Sequence, residues 1–310
     1  MHDIIIIGGG VAGLTAALYS ARKGMKTAVI SENVGGQLVL AEHIQNFPGF
    51  SGSGYDLVAK IKEQAVGVGV EIVYGKVAKL DKAEPGFRVT LSKGEVLEAR
   101  AAIIACGKIP RRLGIPGEDK FMGRGVHVCS ICDAPLYRDK TAAVVGGGNS
   151  AVEAAVNLMR FAKKVYLVTK AEKCRADDIT LKELWASEKV ERVTNHVPVE
   201  VLGDKFVNGL VVEDVNTHEK RSLVVDGVFV EVGYAVNADI VKHIVKLNEN
   251  NEIIVDSRGA TSCEGLFGAG DATSTTFKQA IISAGEGAKA ALSAYAYLNQ
   301  GGAAKPDWGH

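Results

Sequence analysis

The sequence predicts an α/β fold with two parallel-sheet domains, the second inserted into the first. Three observations carry this. A strand, a glycine turn, a helix and a second strand follow one another from Asp3 to Ile30, and the same unit recurs from Thr141 to Thr169. A glycine-rich segment, Gly265–Asp271, and a helical pattern, Gln279–Leu298, then stand near the C-terminus, where they would complete the first domain. Parallel strands need a crossover helix between them, so two such units imply two Rossmann-like sheets. The 310 residues suffice for two cores at about 100–200 residues each. The expected division is 1–108 with 241–310 for the first domain and 109–240 for the second.

The first strand, Asp3–Ile7, is a run of isoleucines without alternation, as expected of a strand buried on both faces. In Gly8-Gly9-Gly10-Val11-Ala12-Gly13, Gly8 allows a tight turn, Gly10 lets backbone approach a pyrophosphate, and Gly13 lets the helix pack close to the sheet. The helix pattern covers Leu14–Lys23 with Gly24 as its stop, and its free N–H groups would meet the phosphates. Thr27–Ile30 is the next strand, and Glu32 just beyond it stands where an acid holds an adenosine ribose. After the apolar run Ala101–Ala105, the stretch Gly107–Pro116 reads as a linker; a second crossing is expected near Gly233–Asn237.

The second unit places a strand at Ala142–Val145, a turn at Gly146–Gly148, a helix at Ser150–Phe161 and a strand at Val165–Thr169. Gly146, Gly148, Asn149, Ser150 and Glu153 form a second dinucleotide-type site by the same physics. A 2′-phosphate calls for arginines after the second strand, but Thr169-Lys170-Ala171 stands there; Glu172 comes late for a bare ribose. The nucleotide of this site stays open.

Cys129-Ser130-Ile131-Cys132-Asp133 can close a short reducible disulfide, with Asp133 as proton donor or acceptor if burial raises it. A half zinc site or two idle thiols are the alternatives; zinc needs two more ligands and only His127 is near, so no metal is expected. Cys106, Cys174 and Cys263 are isolated and read as small buried hydrophobes. Five scattered cysteines do not make a secreted disulfide framework, so a cytoplasmic protein is expected. The zero formal net charge offers no global field for nucleic acid or an anionic membrane, and no apolar run reaches a membrane span. Ile4–Leu18 lacks the basic start of a signal peptide.

In their order along the chain, these motifs resemble the low-molecular-weight thioredoxin reductases. The glycine hexad is followed by Gly35-Gly36-Gln37-Leu38, Asn46-Phe47-Pro48-Gly49, Cys129–Asp133, Gly146–Glu153, and Gly265–Asp271 with Gln279-Ala280. The cysteine pair stands far from the first fingerprint, unlike in the larger glutathione-reductase-like enzymes. The resemblance implies FAD held by Gly10, Ala12, Glu32, Gly36, Gln37, Leu38, Asn46, Val77, Gly107, Asp271, Gln279 and Ala280. It implies that Cys132 exchanges electrons with the flavin, that Cys129 attacks the disulfide of a thioredoxin-like partner, and that Asp133 handles protons. A homodimer and a rotation between the domains are implied likewise. Family members that use NADPH carry His-Arg-Arg where Thr169-Lys170-Ala171 stands, and an Arg where Lys278 stands. NADPH is therefore disfavoured as donor; NADH, a reduced deazaflavin or a ferredoxin are the expected alternatives. Two other functions stay in view, a flavin-dependent reductase of another acceptor and a redox-inactive FAD-binding assembly protein. Trp308 and His310 at the tail offer an aromatic cap for the flavin, against the reading of a frayed polar terminus.

Overall fold

The computed structural model describes residues 1–41, 44–236 and 238–299; the tail with Trp308 and His310 lies outside the described residues. The chain forms two compact units, Met1–Ile109 with Ala235–His310, and Pro110–Tyr234.

In the first unit, β1 (His2–Gly9) runs parallel to β2 (Thr27–Val34) on one side and to the strand Val96–Ile104 on the other. Ile5 and Ile7 point into one core, with Leu80 and Phe87; Ile4 and Ile6 point into the other, with Ala16 and Ala290. Both faces are covered, which is why the strand shows no polar alternation. Each buried isoleucine contributes roughly 1.5–3 kcal/mol.

The strand Val96–Ile104 has a divided outer edge. Its first half pairs antiparallel with Gly86–Leu91, and its last residues pair parallel with Leu266–Gly268. The C-terminal segment therefore completes the sheet that the N-terminus began. The antiparallel meander from Val77 to Ile104 was not foreseen from the glycine-turn pattern.

Helix α1 (Val11–Arg22) starts three residues earlier than the sequence pattern suggested, because Gly10 caps it in an extended conformation (φ −77°, ψ −174°). Gly24 follows its end with φ +78°, a left-handed position that favours glycine. The helix packs on the terminal helix Ala280–Leu298 through Ala12, Ala16, Ala290 and Ala294. A Cβ on Gly287 would run into the Ala12 carbonyl, so the two backbones touch.

The second unit holds a five-stranded, all-parallel sheet. Its order is Val126–His127, Gly227–Val230, Thr141–Val145, Lys164–Val168, Val190–Val193. The helix Asn149–Met159 covers one face around Val144, Leu167 and Phe229. A three-stranded antiparallel sheet, His196 to Leu223, covers the other with Leu210 and Val212. Among the described residues, no helix is long and apolar enough to cross a membrane.

Candidate active site

A cleft of about 400 Å³ opens in the first unit over the glycine turn. Gly8 has φ +112°, and a Cβ there would meet the Ala105 carbonyl. A Cβ on Gly13 would strike the Gly8 carbonyl, so helix and turn are in backbone contact. Gly10 differs: a Cβ there would meet nothing within 4 Å. Its missing side chain is not needed for packing and leaves the helix N-terminus open. No side chain caps that end of α1, so its N–H groups face the cleft unpaired by any cap. These features fit a pyrophosphate.

Gly8, Gly10, Ala12, Gly36, Gln37, Leu38, Asn46, Gly107, Asp271, Gln279 and Ala280 all stand on the cleft wall. Gln37 Nε2 donates to the Lys108 carbonyl at 2.6 Å, and Asn46 Nδ2 donates to Gln279 Oε1 at 3.2 Å. The first bond ties the segment after β2 to the loop after the strand Val96–Ile104, and the second ties it to the loop before the terminal helix. Gly270, with φ +73°, is held by a buried carboxylate, since its N–H donates to Glu286 at 2.8 Å. That fixes Asp271, whose Oδ1 lies 3.4 Å from Ser283 Oγ.

Three expected contacts are not on the wall: Gly13, which packs against the Gly8 carbonyl instead, Glu32 and Val77. Ser31 and Asn33 line the cleft, while Glu32 between them on β2 does not. Successive strand residues face opposite sides, and Ser31 takes the inner position: its hydroxyl accepts from Gly9 N–H at 3.0 Å. Val77 begins the strand Val77–Ala83 and packs against the core. Cys106, which the sequence reading set aside, does line the cleft, but burial pushes its thiol up to about 11. It is a poor nucleophile near neutral pH.

In the second unit Cys129 and Cys132 are joined in a disulfide, with their Cα atoms 5.5 Å apart. Cys129 caps the short helix Ser130–Asp133, and Cys132 N–H donates to its sulfur at 3.3 Å. Asp133 is anchored. His127 Nδ1 lies 2.7 Å from Asp133 Oδ2, and His127 Nε2 lies 2.8 Å from the Tyr137 hydroxyl. The imidazole stacks on Phe229 with ring centres 5.0 Å apart, and His127 is buried. An ionised carboxylate only accepts, so His127 Nδ1 is the donor to Asp133. Burial, and then the charges of Asp133 and Asp226, push the Tyr137 phenol well above its usual range, which keeps it a donor. His127 is thus part of a hydrogen-bonded row behind the disulfide. Among the described residues, no group of three or more His, Cys, Asp or Glu side chains is placed to hold a metal. Neither His127 nor Tyr137 was assigned a redox role from the sequence.

The second glycine turn repeats the first in outline. Gly146 has φ +148° and packs against the Glu231 carbonyl, while Gly148, like Gly10, caps its helix with open space where a Cβ would be. Its surroundings differ. Arg175 N–H donates to the Gly147 carbonyl at 2.7 Å. Asn149 is tied to Asp177 by two hydrogen bonds, of 3.2 and 3.0 Å. Burial, and then the charge of Glu153, push Glu231 up to about 7. Ser150 begins the helix beside them. Acidic groups border this turn, where a dinucleotide would bring two phosphates.

Residues 2–287 match the family described as pyridine nucleotide-disulphide oxidoreductase. The chain belongs to that family. Membership makes it an oxidoreductase of the flavoprotein class and implies FAD. It is 38% identical over 299 residues to one component of the alkyl hydroperoxide reductase of Staphylococcus epidermidis, covering 96% of this chain and 59% of that protein. It thus spans about three fifths of the length of this curated relative. The solved thioredoxin reductase of Lactococcus lactis is similar throughout, with 34% identity, a TM-score of 0.87, and coverage of 97% of this chain and 100% of that one. A ferredoxin-flavin thioredoxin reductase from Clostridium acetobutylicum is also 34% identical, with a TM-score of 0.53 over 96% of this chain and 98% of that one. The low-molecular-weight thioredoxin reductases, whose resemblance the motifs carried, are therefore the structural group of this oxidoreductase.

Proposed function

We propose that the protein is an FAD-dependent disulfide reductase that passes electrons from a donor other than NADPH to the Cys129–Cys132 disulfide and on to a thioredoxin-like protein. The observation that carries this is the disulfide itself, with Asp133 held beside it by His127 at 2.7 Å.

Bound FAD would supply the two-electron carrier between donor and disulfide; Gly10, Gln37, Asp271 and Ala280 would hold it in the cleft of the first unit. The protein's own groups do the rest. With two electrons and two protons, the Cys129–Cys132 bond becomes two thiols. The Cys129 thiolate then attacks the partner's disulfide, forming a mixed disulfide and releasing one partner sulfur as thiolate. Cys132 attacks Cys129, which closes the internal disulfide again and frees the second partner sulfur. Asp133 stands next to Cys132 to take and return the proton at each sulfur, and His127 and Tyr137 keep its carboxylate turned to one position.

The choice of donor is supported by the second turn. Thr169-Lys170-Ala171 lacks the planar arginine grip for a 2′-phosphate, and Glu153, Asp177 and Glu231 border the place of the pyrophosphate. NADH, a reduced deazaflavin or a reduced ferredoxin remain as donors; the Clostridium acetobutylicum relative is named for the last.

A second reading, a reductase serving a peroxidase partner, draws on the relative named for alkyl hydroperoxide reductase. The two share the thiol chemistry and differ in acceptor. Cys132→Ser tests both: the variant keeps its flavin and loses reduction of any protein disulfide. An undiminished rate would remove the pair from the mechanism. Comparing a thioredoxin with a peroxidase as acceptor for the unaltered protein then separates the readings.

A further inference from the structure

The cleft of the first unit runs across the sheet. Ser31 and Asn33 line it at the end of β2, the glycine turn follows β1, and Gly107 and Lys108 follow the strand Val96–Ile104 on the far side. With an adenosine half on the β2 side, a flavin ring would lie toward the far side. Two lysines line the wall there, Lys108 and Lys278. They come from distant parts of the chain, and they meet on one carboxylate.

Lys108 Nζ lies 2.9 Å from Glu252 Oε1, and Lys278 Nζ lies 3.4 Å from the same oxygen. The second oxygen of Glu252 accepts from Asn248 Nδ2 at 2.8 Å. Lys278 also donates to the carbonyls of Asp271 and Thr273, and Gln37 donates to the carbonyl of Lys108. Glu252 is 8% exposed. Burial alone would raise its carboxyl, but hydrogen bonds from Lys108 and Asn248 and the two ammonium charges overrule that and hold it at about 2. One lysine would neutralise it. The second is surplus, and its side chain is only 23% exposed. The cluster itself carries two cations and one anion on a wall of low solvent access, where each charge acts strongly, and Asp271 adds a second carboxylate to the same wall.

We propose that the Lys108–Glu252–Lys278 cluster sets the reduction potential of the flavin in this cleft, through the balance between its two cations and one anion at the end where the ring would lie. A ring that takes up two electrons and one proton gains one negative charge, and a fixed cation favours that product. Electrons come from the donor of the proposed function, on which this inference rests. The cluster is a positioning device for charge; it need not touch the ring.

Charge and packing make opposite predictions for two substitutions. In the flavin-loaded protein, titrated against a reference dye, Lys278→Met lowers the equilibrium constant for flavin reduction by about tenfold, or about 30 mV for a two-electron couple. Glu252→Gln moves it by a similar factor in the other direction, and Lys278→Arg leaves it within about threefold. Loosened packing would shift the first two variants the same way. Shifts of one sign in both, or a shift in neither, overturn the proposal. Purified protein without flavin would sink the proposed function instead, so the two failures are distinct.

Discussion

At the scale of single residues, the disulfide site divides into what spacing reveals and what contact adds. Cys129, Cys132 and Asp133 share a five-residue segment whose chemistry is local, and they were legible in the chain. His127 and Tyr137 were not. Their bonds to each other and to Asp133 depend on a bend between the strand Val126–His127 and the short helix, and no periodicity records it. Replacing His127 by Phe keeps the stack on Phe229 and removes both hydrogen bonds. Turnover with a disulfide acceptor should fall by about tenfold to a hundredfold, with a displaced pH–rate profile and unchanged flavin content. A rate loss with an unmoved profile would mean that His127 only supports the fold. Cys106 illustrates the reverse case: the sequence set it apart from the chemistry, and the structure puts it on the cleft wall with a thiol too basic to react near neutral pH.

At the scale of elements, the two strand–turn–helix units use one design and differ in their surroundings. Gly10→Ala should fold with an unchanged melting temperature, since the added Cβ meets nothing, yet bind FAD at least about tenfold more weakly because the phosphates lose that space. Gly148→Ala, with the same open space, should leave flavin content untouched. Equal flavin loss in both would assign the flavin to the wrong turn. Glu231, at the end of the second unit's strand Gly227–Val230, offers a pH test. Its folded carboxyl is raised from 4.5 to about 7, so its ionisation disfavours the fold: stability is full below about pH 4.5 and is lost as pH rises through 7. Glu231→Gln should therefore be more stable than the parent at pH 8, by about 1–2 kcal/mol after solvent screening, and equal to it near pH 4.5. Urea midpoints at the two pH values decide it. The patterns of both units were readable because isoleucine and valine runs, glycine triplets and helix stops follow one another within 30 residues. Glu153, Glu231, Asn149 and Asp177 gather from separate segments, so the acidity of the second turn was not readable as a whole.

At the scale of the whole molecule, the sheet of the first unit is the joint product of both ends of the chain. Leu266–Gly268 pairs with Val96–Ile104, and the terminal helix packs on α1. The cleft lies where these two ends meet, with Gly107 from one and Asp271 and Gln279 from the other. Under the proposed function, the donor is tested on the flavin-loaded protein as a whole. Adding NADPH, NADH or reduced ferredoxin separately to the holoprotein and following the loss of flavin absorbance should show slow bleaching with NADPH and fast bleaching with one of the others. Fast, saturable bleaching by NADPH would overturn that reading.

By itself the sequence determined the α/β class, the two glycine turns with their helices, and the close cysteine pair with its neighbouring aspartate. Each is written in neighbouring residues, through local conformational preference and burial pattern. Only tertiary structure decided that Ser31 rather than Glu32 faces the cleft, that His127 and Tyr137 back Asp133, and that two remote lysines share Glu252. Those outcomes depend on strand facing and on contacts between segments up to 144 residues apart. Such contacts form when apolar burial closes a sheet, and a linear pattern carries no trace of which polar side chains that closure brings together.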